Sequence, residues 1–142
     1  MNFDPGNSII KLCAQGMEAE GKGEKEEAHR LFLQAWDEAV SDFEKFTAAH
    51  YVARHQKNVA DKLKWDEMAL QSALRINDET MQVHYPSLYL NIAKCFEDLK
   101  EFGKAKENYR SALLFSKMLP DDGYGNMIRS GIRNGIERVS QY

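Results

Sequence analysis

Apolar residues along this chain recur at i, i+3, i+4 and i+7, the spacing of one helix face. No stretch alternates with the period of two that marks a strand. The first stripe, Ile9, Leu12, Cys13 and Gly16, predicts a helix over about Asn7 to Glu20. Gly21-Lys22-Gly23 ends it, because glycine disfavours helix and accepts the left-handed turn that closes one. Ala28, Leu31, Phe32, Ala35, Trp36 and Ala39 form a second stripe. It opens with Glu24, Glu26 and Glu27, where the helix dipole favours negative charge. Ser41 with Glu44 reads as a capping box for a third helix to about Lys57, with Phe43, Phe46, His50 and Ala53 facing inward. Asn58 opens a fourth helix, which carries Leu63, Leu70, Ala73 and Leu74 and fades at Asn77-Asp78.

Residues 79–85 read as a short helical turn, and Pro86 stands at a first helical position, where the missing N–H has no partner to lose. Tyr89, Ile92, Ala93, Phe96 and Leu99 then mark a fifth helix, and Phe102, Ala105, Tyr109, Ala112 and Leu113 a sixth. Pro120 stops that pair. Asp121 or Asp122 caps a last helix to Val139, with Tyr124, Met127, Ile128, Ile132 and Ile136 on its packing side. Gly131 and Gly135 share one face of it, which predicts close backbone approach to the sixth helix. The expected architecture is all-α.

The chain also resembles itself at a separation of 77 residues. Gly16, Ala28, Phe32 and Ala35 correspond to Ala93, Ala105, Tyr109 and Ala112, and Glu20 and Glu24 to Glu97 and Glu101. That separation is two 34-residue units plus nine.

These residues resemble the tetratricopeptide-repeat family. One unit reads Tyr89, Ile92-Ala93, Phe96, Ala105, Tyr109, Ala112 and Pro120; another reads Leu12, Gly16, Ala28, Phe32 and Ala35, with Gln15 and Ala19 departing from the pattern. The stretches 46–56 and 119–129 also make the whole chain similar to small stand-alone bacterial proteins with this repeat, a resemblance that transfers no biochemical role. It implies a right-handed α-α superhelix filling 1–142 as one domain, with repeats at roughly 9–42, 43–78 and 86–119 and a capping helix at 122–140. The middle repeat is degenerate. The implied function is a non-catalytic interaction module with a concave groove.

Composition narrows the partners. A net charge of −3 gives no general attraction to nucleic acid or anionic membrane, and no apolar run is long enough to span one. The opening residues show no basic segment followed by an apolar one, so the expectation is a cytoplasmic protein. Cys13 and Cys95 lie within apolar patterns and read as buried free thiols. A homodimer through an uncapped N-terminal end is a further expectation.

The family's peptide clamp of lysine, asparagine and arginine is not reproduced, since Cys13 and Met17 occupy two of its positions. The candidate partner surface is instead His50, Arg54, Asn91, Lys94, Arg129 and Arg133, which would receive a protein or peptide, acidic in character. Solvated charge and local pairing, such as Lys94 with Asp98, is the competing reading. Gly21-Lys22-Gly23 is no phosphate loop, because no strand precedes it, so no cofactor is expected. His50 and His55 are five apart, off the i, i+4 face of a zinc helix, and no metal site is expected. The alternative function is an accessory subunit or small enzyme whose polar site forms around His50, His55 and Asp121/Asp122.

Overall fold

The computed structural model describes Asp4 and residues 6–142. Met1, Asn2, Phe3 and Pro5, part of the N-terminal segment read above as lacking a leader, lie outside the described residues. Among the described residues the chain forms seven α-helices and two short 3-10 segments, and no strand. The helices are α1 Ser8–Gly21, α2 Lys25–Glu38, α3 Asp42–Ala53, α4 Val59–Leu74, α5 Tyr85–Asp98, α6 Phe102–Phe115 and α7 Gly123–Val139. They pack in sequential antiparallel pairs, α1 with α2, α3 with α4 and α5 with α6, while α7 lies against both α5 and α6. Contacts divide the chain into two compact units, Met1–Asn77 and Asp78–Tyr142.

In the first unit Asn7 caps α1 through bonds from the Ile9 and Ile10 amides. The predicted capping box is present at α3, where Ser41 and Glu44 exchange bonds, and Asn58 caps α4. Gly16 of α1 leaves room for Phe32 of α2: a Cβ there would collide with the Phe32 ring. Phe32 is wholly buried, worth roughly 1.5–3 kcal/mol of hydrophobic stabilisation, and stacks on Tyr51 of α3 at 4.9 Å. The α1–α2 turn is a Schellman motif, with the Glu24 amide bonding the Ala19 carbonyl and the Gly23 amide that of Glu20. Gly23 takes the left-handed conformation it requires, at φ 78°. Trp65 of α4 meets Trp36 of α2 edge to face at 5.1 Å.

The second unit repeats the device. Its α5–α6 turn makes the same two bonds, Glu101 to Phe96 and Lys100 to Glu97, with Lys100 at φ 61° where the first unit has glycine. Tyr109 and, at the other matching positions, Ala93, Ala105 and Ala112 are all wholly inaccessible. Gly135 of α7 leaves room for the Tyr109 ring, as predicted, but Gly131 faces Leu90 of α5 rather than α6. Asp122, not Asp121, caps α7 through the Gly125 amide.

The packing side of α7 also differs from expectation: Tyr124 and Met127 are exposed, Met127 by 62%. Ile128 is buried as expected, and Gly125 takes an inward position as well, because the Pro120 carbonyl abuts the helix where any Cβ at Gly125 would collide with it. With Gly125 fixed inward, the 100° step per residue turns Met127 outward. Leu113 is likewise exposed, since Ala105, Tyr109 and Ala112 already define the inner face of α6.

Candidate functional site

Two features of the first unit combine chemistry with access. One is a shallow groove where α1 runs beside α3. Ile10, Cys13, Ala14 and Met17 follow one another at i, i+3, i+4 and i+7 on α1, and Thr47 and Tyr51 face them from α3. Together they enclose about 250 Å³. Cys13 is buried at its wall, where loss of water pushes the thiol up to about 11, so it stays protonated and behaves as an apolar surface. Tyr51 is also held above its ordinary range by burial, and it remains neutral. Met17 is about half exposed at the rim. The groove is therefore uncharged, and its thioether can reshape to a guest.

The second feature is a polar cluster beside that groove. Glu20, one residue before the end of α1, receives the Arg54 guanidinium on Oε1 at 2.6 Å and His55 Nε2 on Oε2 at 2.8 Å. Arg54 also lies over the Tyr51 ring at 4.7 Å. A carboxylate at a helix C-terminus faces the negative end of the dipole, so this pair of donors offsets an unfavourable position. His29 on α2 completes the group, with its ring 5.9 Å from that of His55. Burial first, and then the neighbouring His55 and Lys57, hold its pKa below the usual histidine value.

The second unit has a counterpart. Glu97, at the matching place in α5, receives Arg138 of α7 in two bonds at 2.8 and 3.1 Å and the Tyr109 hydroxyl at 2.6 Å. Arg138 holds the Glu97 carboxyl below its usual range, and burial together with Glu97 pushes the Tyr109 phenol up.

The residues singled out from sequence fall in both units. In the first, Arg54 takes part in the Glu20 cluster, while His50 lies against Tyr51 and Phe46 at ring distances of 5.5 and 6.4 Å. In the second, Lys94 pairs with Asp98 at 2.5 Å on its own helix, and Asn91 is half-buried on α5. Arg129 donates to the carbonyls of Leu119 at 2.7 Å and Pro120 at 3.2 Å, which anchors α7 to the segment before it. Arg133 is exposed, with only a long contact to Ser130 at 3.4 Å. His55 engages Glu20, Asp122 is committed to the α7 cap, and Asp121 is exposed.

Sequence reasoning missed Glu20 and Glu97 as organising groups, although both were visible in the 77-residue correspondence. It read Cys13 as a buried thiol of the first stripe, and Met17 only as a departure from a peptide clamp. Both cysteines are free and buried. Among the described residues no group of three or more metal-type ligands converges, and no helix is long and apolar enough to cross a membrane. No family model, curated protein or solved structure matches the chain.

Proposed function

We propose that this chain is a non-catalytic interaction module whose α1–α3 groove accepts an apolar side chain from a protein or peptide partner. The proposal includes a tetratricopeptide-like right-handed superhelix. It draws support from the sequential antiparallel pairs, the repeated turn and the small residues under Phe32 and Tyr109. The observation that carries it is the groove of about 250 Å³ lined by Ile10, Cys13, Ala14, Met17, Thr47 and Tyr51. It is smaller than the roughly 300–1,000 Å³ of ordinary small-molecule pockets and suits a single aromatic or branched anchor.

Charge plays the lesser part in this reading. Arg54, Lys94 and Arg129 already have intramolecular partners, so the apolar anchor supplies most of the affinity. A peptide-display selection against the purified protein tests the reading. The expected ligands share one large apolar residue, and both Ala14→Glu and Met17→Glu weaken them at least tenfold while the helical circular dichroism is unchanged. Ala14 and Met17 are exposed, so neither change disturbs the core. Selected ligands with no apolar residue in common, or full binding by both variants, overturn it.

A further inference from the structure

The first unit holds a histidine pair in a place where a proton has nowhere favourable to go. His29 lies on α2 with its Nδ1 atom buried and without a hydrogen-bond partner among the described residues. The groups around it come from several elements. Glu20 of α1 bonds Arg54 and His55, and the His55 ring lies 5.9 Å from that of His29. Lys57, in the segment after α3, acts on His29 through its charge, and Lys25 and Glu26 stand one turn earlier on α2 itself. Phe32 closes the pocket of rings, 5.5 Å from His55 and stacked on Tyr51. Tyr51 is in turn a wall of the groove.

We propose that the His29–His55 pair is a proton-sensitive latch that loosens the α1–α3 packing of the first unit as the medium acidifies. The carboxylate bonded to the pair, that of Glu20, is already shared by two donors, and a cation at His29 adds to the charge of Lys57. Protonating the half-buried ring at its buried Nδ1 leaves a charge short of partners, and moving the ring aside disturbs His55 and, through it, Phe32, Tyr51 and the groove wall.

The sign follows from linkage. His29 binds a proton less readily folded than unfolded. The unfolded chain therefore takes up protons first, and stability is full above the ordinary histidine pKa of ~6.5 and falls as the pH drops below it. The Glu97 cluster of the second unit contains no histidine. Its carboxyl is held low by Arg138, and its contribution is lost only as pH falls below the carboxylate range. His84, half-buried just before α5, is also held low by loss of water, so His84→Gln supplies the background for the test.

Native-state hydrogen exchange of the full chain, with no ligand present, reads the latch directly. In His84→Gln, protection of α1 to α3 amides, corrected for intrinsic rates, is expected to fall severalfold between about pH 7.5 and about pH 5.5, a range spanning the histidine pKa. Adding His29→Leu, or His29→Gln as a polar replacement, is expected to flatten that dependence. Protection in α1 to α3 that does not change with pH, or that falls equally in both His29 variants, overturns the proposal. Neither result bears on whether the groove binds an apolar anchor.

Discussion

At the end of α1, Glu20 meets Arg54 and His55; at the end of α5, Glu97 meets Arg138 and the hydroxyl of Tyr109. Both carboxylates stand two residues before the helix cap, inside the same Schellman turn, and both draw a guanidinium, from the residue after α3 in the first unit and from α7 in the second. The rings behind them differ. In the first unit Phe32 shares its space with Tyr51; in the second Tyr109 fills that space alone and Gly135 yields to it. Backbone turn and carboxylate are thus held constant while the aromatic volume is divided differently. Dividing it between two rings places Tyr51 at the surface, where it serves as a groove wall. A single tyrosine keeps its polar end for the carboxylate and leaves no second ring to expose.

Truncating the shared ring is expected to do the most damage. Phe32→Ala and Tyr109→Ala each remove a fully buried aromatic and are expected to destabilise their own unit by roughly 3–5 kcal/mol. Tyr109→Ala also strips Glu97 of a donor. Denaturant titration read by hydrogen exchange separates the units, and equal loss in both from either change would contradict the comparison. Filling the small side of the contact ranks next. Gly135→Ala and Gly16→Ala each push a methyl group into a ring and are expected to cost about 1–3 kcal/mol by overpacking. A neutral result at Gly135 would mean that Tyr109 has room the geometry denies it. The turn carries the smallest effect. Lys100→Gly releases a left-handed conformation that costs a side chain about 1–2 kcal/mol and adds about 0.5–1 kcal/mol of glycine entropy. The expected net gain is below about 1 kcal/mol, whereas Gly23→Lys is expected to lose stability, both measured as denaturation midpoints.

Helix order and most starts were legible because they depend on local chemistry. Ser41 with Glu44, Asn58 and Asp122 act on amides two to three residues away. The end of α3 was not: the stripe suggested Lys57, but the helix stops at Ala53, where Arg54 and His55 turn toward a carboxylate more than thirty residues back. Tyr124 and Met127 misled for a related reason, since the inward side of α7 is set by a carbonyl of Pro120 that no periodicity encodes. The groove had the same fate. The stripe read from sequence was Ile9, Leu12, Cys13 and Gly16, whereas the groove uses Ile10, Cys13, Ala14 and Met17, because a concavity exists only once the distance from α1 to α3 is fixed. That distance depends on Gly16 and Phe32.

Glu44 binds the amides of Val40 and Ser41 through one oxygen and Asn7 Nδ2 at 2.8 Å through the other. Asn7 is meanwhile the cap of α1, so a single carboxylate ties two helix beginnings that are 37 residues apart. Exchange of Glu44 would be felt at both ends of that tie, and a tolerated change at either position should depend on what occupies the other. Among descendants of this sequence, positions 7 and 44 are therefore expected to covary as a pair.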